Sequence, residues 1–154
     1  MSNKVIWITG ASSGIGKALA YKFAKENWQV AISARREKLL NEISSSNNNI
    51  HAFPLDVLEA EKCKDVFTKI INKFKNIDIV VFSTGIHNPE SEKELNLEDI
   101  RKIMETNFFG TLNSINSVYN YFKEKKSGQI SIVSSVAGYR GLPTGGAYCA
   151  SKSA

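Results

Sequence analysis

The sequence has few residues that bind metals or form disulfides. It contains two cysteines and two histidines in 154 residues. Cys63 and Cys149 lie far apart in the chain, and neither His51 nor His87 has a second metal-binding residue at the spacing of a zinc site. This scarcity excludes a disulfide scaffold, and we predict no metal site. Cys63 is expected to be a small buried hydrophobic side chain.

Long hydrophobic runs are also missing. No apolar run approaches the ~20 residues that are needed to span a bilayer. The first run, residues 5–8, is too short for the core of a signal peptide, and no small-residue cleavage site follows it. We therefore expect no membrane partner and a cytoplasmic location.

Acidic residues are outnumbered by basic ones, which gives a formal net charge of +5. The basic residues are mostly interspersed with acidic ones, as at Glu61 and Lys62. The one dense basic group, residues 123–126, comes where a helix is expected to end, and that position favours cations. The pattern favours solvated helix faces, so no nucleic-acid partner is expected.

Short apolar runs alternate with segments of helical periodicity. The runs predict five strands, at about residues 5–8, 29–34, 50–55, 77–82 and 129–133. The clearest helix between them covers Cys63 to Phe74. Strands that are separated by helices predict βαβ units and a mostly parallel sheet. We predict an α/β fold of the Rossmann type, a doubly wound parallel sheet in a single domain over residues 1–154.

A glycine-rich segment joins the first strand to the first helix, which is predicted over about residues 14–27. Glycines there let the backbone turn sharply and approach a pyrophosphate, and a helix N-terminus offers free N–H groups and a favourable dipole. A P-loop is excluded, because Ala11 and Ala18 stand where that motif requires Gly and then Ser or Thr. The alternative is a tight turn that needs glycine for packing alone. The candidate cofactor-binding residues here are Thr9, Gly10, Ser12, Ser13, Gly14, Ile15 and Gly16.

The end of the second strand bears on the choice of nicotinamide nucleotide. NAD sites usually place a carboxylate there, whereas NADP sites place an arginine for the 2′-phosphate. Arg35 and Arg36 follow the strand, and no acid precedes Glu37. Because the arginine fork binds phosphate well, NADP(H) is predicted as the preferred cofactor, with NAD(H) as the alternative. Arg35 is the first choice and Arg36 the second, unless both are ordinary surface residues. Asp56 is placed to reach the adenine edge or to cap the next helix.

A tyrosine and a lysine lie four residues apart near the end of the chain. Tyr148 and Lys152 share one face if this segment is helical. A free phenol has a pKa of ~10, and a neighbouring ammonium can lower it by ~1–3 units, as general acid–base catalysis near neutral pH requires. Such a pair can also be an ordinary surface feature. Ser134 and Ser135 end a predicted strand, where ligands bind in open α/β sheets, although capping is another reason for hydroxyls there.

A long helix is predicted over residues 98–125. Asn107 falls within its apolar stripe, and a buried amide costs ~1–3 kcal/mol unless its hydrogen bonds are met. Asn107 is therefore either functional or a structural amide that is bonded to backbone. The other residues of the stripe are Ile100, Ile103, Met104, Phe108, Thr111, Leu112, Ile115, Val118, Tyr119 and Phe122.

Taken together, these motifs resemble the short-chain dehydrogenase/reductase family over essentially the whole chain. The matching motifs, in chain order, are TGxxxGIG at residues 9–16, Asp56-Val57, Asn107, Ser135 within SSVAG, and YxxxK from Tyr148 to Lys152. The resemblance implies an oxidoreductase that transfers a hydride between NADP(H) and a small carbonyl or alcohol substrate. It also implies that Asp56, Val57 and Gly85 border the cofactor.

The resemblance further implies four catalytic roles. Tyr148 would exchange the proton with the substrate oxygen, and Lys152 would lower the pKa of the tyrosine and hold the nicotinamide ribose. Ser135 would hydrogen-bond the substrate oxygen, and Asn107 would anchor a water in a proton relay. Tyr148 and Lys152 are thus candidates for both catalysis and cofactor binding.

The sequence departs from the family pattern in two places. Residues 82–85 read Phe-Ser-Thr-Gly where the family usually has Asn-Asn-Ala-Gly, so an asparagine that braces the sheet is absent while Gly85 is kept. The chain also ends at Ala154, whereas family members continue through further strands and a helix that often makes dimer contacts. We therefore expect a sheet that is incomplete at its C-terminal side and a homo-oligomeric full-length form. The alternative function is a truncated, catalytically inactive NADP(H)-binding fragment.

Overall fold

The structure is a computed structural model that describes residues 4–89, 96–143 and 145–154. A π-helical segment, Glu105–Phe109, joins two of its helices, and a 3₁₀ turn, Val136–Gly138, follows the last strand. None of the helices in these ranges is long and apolar enough to cross a membrane. The strands and α-helices are β1 (Val5–Thr9), α1 (Gly14–Lys25), β2 (Gln29–Ser33), α2 (Glu37–Ser45), β3 (Ile50–Ala52), α3 (Ala60–Phe74), β4 (Ile79–Phe82), α4 (Leu97–Met104), α5 (Gly110–Lys125), β5 (Gln129–Ile132) and α6 (Gly146–Ser153).

The five strands form one parallel sheet in the order β3-β2-β1-β4-β5. From β1 the chain moves outward through β2 and β3, and it then returns to the other side of β1 for β4 and β5. In the register, Ile6 of β1 lies opposite Val30 of β2 and Ile79 of β4. This reversal creates a switch point between β1 and β4, the place where open α/β sheets bind ligands. The predicted doubly wound parallel sheet is confirmed.

The central strand β1 is buried along its whole length. Its side chains alternate between two hydrophobic layers, one on each face of the sheet. Trp7 lies in the same layer as Ile70 of α3, whereas Ile6 and Ile8 lie with Leu40 of α2. Burial on both faces explains why this strand is a continuous apolar run in the sequence.

Cys63 of α3 is fully buried in the first of these layers, as predicted. Burial raises the pKa of its thiol to about 11, although a hydrogen bond with Ser114 acts in the opposite direction. The thiolate is the reactive form of cysteine, so this side chain has a packing role.

The long helix predicted over residues 98–125 is present, with helical backbone from Leu97 to Lys125, and the π-helical segment lies within it between α4 and α5. The predicted apolar stripe, in contrast, is too wide. Ile103 and Val118 are buried, but Leu112 and Tyr119 are 42% and 53% exposed. α5 therefore turns only part of the stripe toward the core.

Small residues form much of the buried face of α5. Its buried residues are Gly110, Ser114 and Val118. A Cβ atom added at Gly110 would lie 2.6 Å from Cγ2 of Val57, so the helix approaches the segment after β3 too closely for a larger residue. The Ser114 hydroxyl is satisfied by donating to the Gly110 carbonyl at 2.9 Å. This close packing explains why the pattern of large apolar residues predicts a buried face that is too wide.

The last strand of the sheet, β5, is poorly covered. Ile130 and Ile132 project from the same face and are 37% and 55% exposed, unlike the buried apolar residues of β1. β5 pairs with β4, and within the part of the chain that the structure describes no strand pairs with its other edge. The apolar sequence of β5 therefore does not indicate burial on both faces of the strand, as the sequence of β1 does.

Asp78 links the amino-terminal ends of β1 and β4. Its carboxylate accepts hydrogen bonds from the Val5 N–H and the Asn76 amide, each at 2.9 Å, and Lys125 Nζ lies at 3.4 Å. Burial by itself would raise the pKa of this carboxyl, but the hydrogen bonds and the lysine charge outweigh burial and hold the pKa below its usual value.

We expect Asp78 to stabilise the fold in a pH-dependent way. A carboxyl with a depressed folded-state pKa contributes stability that is present above its unfolded pKa of about 3.9 and is lost as the pH falls through the folded value. Asp78→Asn should therefore lower the free energy of unfolding by about 1 kcal/mol near neutral pH and weaken its decrease in acid. Urea denaturation at several pH values measures both effects. The exposed Asp65 of α3 provides the control, since Asp65→Asn should change stability by less than about 0.5 kcal/mol.

Candidate active site

A crevice opens at the carboxyl ends of the central strands. Its volume of ≈ 630 Å³ falls within the usual range for small-molecule sites. Six of the lining residues were not predicted from the sequence. Most of them come shortly after the end of a strand, and that position by itself indicates a ligand site in an open α/β sheet. They are Ala34, Leu55, Ser83, Thr84, Ile86 and Thr106. The predicted residues in its wall are Gly10, Ser12, Ser13, Gly14, Ile15, Gly16, Arg35, Arg36, Asp56, Val57 and Gly85.

Thr9 is the one predicted residue of the glycine turn that does not line the crevice. It is 1% exposed at the end of β1, and its hydroxyl has no hydrogen-bond partner among the described residues. Its backbone carbonyl accepts a hydrogen bond from the Ser83 hydroxyl at 2.6 Å. Thr9 therefore lies behind the wall, where it connects β1 to the segment after β4.

The glycine turn brings two segments of backbone into close contact. A Cβ atom at Gly10, whose φ is +68°, would lie 2.7 Å from the Ser83 carbonyl oxygen, and one at Gly16 would lie 2.7 Å from the Gly10 carbonyl oxygen. A Cβ atom at Gly14 would meet no other atom within 4 Å, so this glycine leaves open space in the crevice. Ser13, the N-cap of α1, makes no side-chain cap hydrogen bond. The first N–H groups of α1 thus face a space that can hold an anion, and the turn fits a dinucleotide phosphate.

The departure from the family pattern at residues 82–85 is compensated locally. The Ser83 hydroxyl bonds to the Thr9 carbonyl, which supplies the side-chain link that the resemblance assigns to asparagine. Phe82 is 2% exposed and packs edge-to-face on Trp7, with 6.0 Å between the ring centroids. Together these contacts hold the end of β4 against β1.

Both candidate arginines lie at the crevice, and Arg36 crosses the glycine turn. Its Nη2 donates to Ser12 Oγ at 2.8 Å and to Ser13 Oγ at 2.7 Å. Arg35 lines the crevice beside it and is exposed. The Arg36 guanidinium and two hydroxyls therefore meet at this end of the crevice, with Arg35 in the same wall, and this donor set suits a phosphate.

Asp56 and Val57 lie in the crevice wall after β3. Asp56 Oδ1 accepts from the Leu58 N–H at 3.1 Å, which is a local turn contact. The N-cap of α3 is Glu59, so the alternative that Asp56 caps this helix is wrong. Its carboxylate is thus held by the turn, and the residue forms part of the crevice wall.

Tyr148 and Lys152 lie four residues apart on α6, as predicted. Lys152 Nζ is 5.9 Å from the centroid of the Tyr148 ring and donates to the Val133 carbonyl at 3.1 Å. It would lie 3.3 Å from a Cβ atom at Gly85, so the absence of a side chain there gives the ammonium access to the crevice wall. Burial lowers the pKa of the Lys152 ammonium. The ammonium thus lies near both the Tyr148 ring and Gly85 of the crevice wall.

Asn107 lies in the π-helical segment and is 5% exposed. Its Oδ1 accepts from the Ile86 N–H at 2.7 Å, and its Nδ2 donates to the Ile86 carbonyl at 2.9 Å and to Ser151 Oγ at 3.0 Å. These contacts correspond to the structural alternative for the buried amide. They also join the crevice wall to α6, which carries Tyr148 and Lys152.

Ser135 caps the 3₁₀ turn after β5. Its hydroxyl oxygen accepts from the Ala137 N–H at 3.1 Å, which is the capping role that the sequence left open. A hydroxyl that accepts one hydrogen bond keeps its own O–H available to donate. The structural role therefore leaves the group able to bind a substrate oxygen.

His87 is a site residue that the sequence interpretation did not single out. Its ring stacks on the Tyr148 ring, with 4.2 Å between centroids and 21° between planes. In the sequence it is a histidine without a metal-binding neighbour, and a stacking partner distant along the chain leaves no local pattern.

Comparison with known proteins agrees with this arrangement. The family profile described as short chain dehydrogenase matches residues 4–154. The chain is 32% identical to human dehydrogenase/reductase SDR family member 7, a match that covers 100% of this chain and 48% of that protein. It is 34% identical to an uncharacterized oxidoreductase of Listeria monocytogenes, with 99% of this chain and 63% of that protein covered.

A solved structure has the same fold. The structure described as ElxO with NADP bound superimposes with a TM-score of 0.89 at 31% identity, over 98% of this chain and 63% of that chain. The chain thus spans about half to two thirds of the length of these relatives. From the family match over residues 4–154, we conclude that the chain belongs to the short-chain dehydrogenase/reductase family of oxidoreductases.

Proposed function

We propose that the full-length protein is an NADP(H)-dependent oxidoreductase that acts on the carbonyl or alcohol group of a small molecule. The observation that carries this proposal is the meeting of the crevice with the Tyr148–Lys152 pair at Gly85, where Lys152 Nζ lies 3.3 Å from a Cβ position. The bound nicotinamide supplies or accepts the hydride, and the protein supplies orientation and proton transfer.

The residues of the crevice have separate roles in holding the dinucleotide. The N–H groups at the start of α1 would bind the pyrophosphate, with Gly14 leaving room for it. Arg35 and Arg36 would bind the 2′-phosphate, and Asp56 would lie near the adenine. Lys152 would hold the nicotinamide ribose, since its ammonium borders the wall at Gly85.

Proton transfer would occur at the Tyr148 hydroxyl. In the direction of reduction the phenol donates its proton to the carbonyl oxygen of the substrate, and in the direction of oxidation the phenolate accepts it from the alcohol. Lys152 would act on the phenol from the same helix, with its ammonium 5.9 Å from the centroid of the Tyr148 ring. The Ser135 O–H would hold the same substrate oxygen.

Turnover of the full-length protein tests the proposal. A panel of ketones, aldehydes and alcohols is assayed through the ultraviolet absorbance of the reduced nicotinamide. We expect at least one substrate to be converted with NADP(H). A protein that binds NADPH but converts no member of a broad panel would contradict the proposed activity.

Arg35 is expected to determine the preference for NADPH. Arg35→Asp removes a charged hydrogen-bond donor from the 2′-phosphate, so affinity for NADPH should fall about 10- to 100-fold, and affinity for NADH should change little. Calorimetric titration with each nucleotide measures the difference. Arg101→Asp makes the same charge change on an exposed residue of α4 and should alter neither affinity. Equal losses for both nucleotides would mean that Arg35 does not bind the 2′-phosphate, and Arg36→Asp would then test the second choice.

A second candidate function applies to the 154-residue chain by itself. These residues form the wall of the cofactor crevice, but they leave the apolar face of β5 exposed to solvent. On this basis the isolated chain would bind NADP(H) without turning over a substrate. Turnover by the isolated chain would refute this alternative. The single domain over residues 1–154, the cytoplasmic location and the homo-oligomeric assembly stay predictions.

A further inference from the structure

We infer that His87 is a positioning residue that orients the phenol of Tyr148, an inference that rests on the proposed function. The two rings stack with 4.2 Å between centroids and only 21° between planes. His87 comes from the segment after β4, and Tyr148 comes from α6, so the contact joins two separate parts of the chain. Nothing in the motifs of the sequence requires it.

The backbone that leads to the exposed His87 is anchored in the crevice wall. The preceding residue, Ile86, has both of its backbone polar groups bonded to the Asn107 side chain, at 2.7 and 2.9 Å. Gly85, one residue earlier, borders Lys152 in the crevice wall. The imidazole is therefore carried by backbone that belongs to the cofactor crevice.

Tyr148 benefits from such a contact because of its own location. It lies in the first turn of α6, which begins at Gly146. The helix is anchored through Ser151, which bonds to Asn107 and to the Tyr148 carbonyl, and these bonds hold the backbone and not the phenol ring. Lys152 Nζ is 5.9 Å from the ring centroid, a distance at which the charge acts on the phenol without fixing the plane of its ring. A flat ring packed against the phenol limits its rotation. Reaction rates are sensitive to such orientation, since a misplacement of about 1 Å can cost about 100-fold.

The stacking contact requires a flat ring and does not require a charge. A phenylalanine at position 87 would therefore retain it, whereas a leucine would fill the space without a planar face. This difference gives a pair of substitutions that separates orientation of the tyrosine from mere filling of volume.

The test compares His87→Leu and His87→Phe in the full-length protein, with the best substrate of the panel. His87→Leu should lower kcat about tenfold, with KM for NADPH and the melting temperature little changed. Its solvent deuterium isotope effect on kcat should rise, because proton transfer from a misoriented phenol becomes slower. His87→Phe should stay within about twofold of the wild type, because the flat ring is kept. Titration with NADPH counts the folded molecules in each preparation.

His51 provides the matched control, since it is the other histidine of the chain and contacts Phe74 away from the crevice. His51→Leu should leave kcat per folded molecule unchanged. A His87→Leu variant with wild-type kcat would overturn the inference, as would equal losses in His87→Leu and His87→Phe. These results are distinct from failure of the proposed function, which Tyr148→Phe reveals: if that variant keeps full turnover, both the function and the role of His87 are wrong.

Discussion

Tyr148→Phe should lower kcat of the full-length protein by about 10²- to 10⁴-fold, the usual contribution of a positioned general acid or base. The substitution removes only the hydroxyl, so the ring should keep its contacts with His87 and Lys152. The affinity for NADPH should therefore change little. Steady-state kinetics and calorimetric titration of the same preparation measure the two quantities.

A second tyrosine gives the control for this substitution. Tyr119 is 53% exposed on α5, and Tyr119→Phe removes the same atom away from the α6 pair. Its kcat should equal that of the wild type. If Tyr148→Phe also retained wild-type kcat, the phenol would not be the acid–base group, and the proposed function would lose its chemical basis.

Gly10→Ala should strongly destabilise the fold. The residue has φ of +68°, and an added Cβ would lie 2.7 Å from the Ser83 carbonyl oxygen, which is backbone and cannot rotate away. A left-handed non-glycine residue costs about 1–2 kcal/mol and overpacking about 1–3 kcal/mol, so we expect a loss of about 2–5 kcal/mol in the free energy of unfolding. NADPH binding should weaken as well, because the turn would move. Urea denaturation and nucleotide titration measure these losses.

Two other glycines separate the causes of this effect. Gly14→Ala has the left-handed backbone, with φ of +54°, but meets no atom within 4 Å, so it should cost only about 1–2 kcal/mol of stability. Gly141 also has open space around it and lacks the positive φ, so Gly141→Ala should change stability by less than about 0.5 kcal/mol. A Gly10→Ala variant as stable as Gly141→Ala would show that β1 and the segment after β4 are less tightly packed than the structure indicates.

The fold could be predicted because burial leaves a regular mark on the sequence. β1 has an apolar core at Ile6, Trp7 and Ile8 because helices cover both faces of the sheet. The periodicity from Cys63 to Phe74 likewise reflects a single buried face of α3. These marks depend on neighbours within a few residues, so they are visible without a structure.

The errors arose where packing depends on partners that the sequence does not specify. Leu112 and Tyr119 have the spacing of buried residues, yet the core side of α5 is set by the small residues Gly110 and Ser114. β5 has the apolar composition of a central strand, but Ile132 is exposed because β5 is the last strand in the order of the sheet. Neither position in the sheet nor close approach can be inferred from hydrophobicity alone.

The candidate site also combines features that could be predicted from the sequence with contacts that could not. Its glycine turn and its Tyr148–Lys152 pair are local patterns, and both were predicted. The contacts that hold the site together connect distant segments: Asn107 bonds to Ser151, which is 44 residues away, and His87 stacks on Tyr148. Such contacts are visible only in three dimensions, because no local pattern records which partner a side chain meets.

The hydrogen bond from Lys152 to the Val133 carbonyl couples the chemistry of the site to the mechanics of the sheet. Val133 directly follows β5, the strand whose apolar face is most open to solvent. The position of the Lys152 ammonium therefore depends on where β5 ends. A substitution that displaces the end of this strand should also displace the ammonium next to Tyr148.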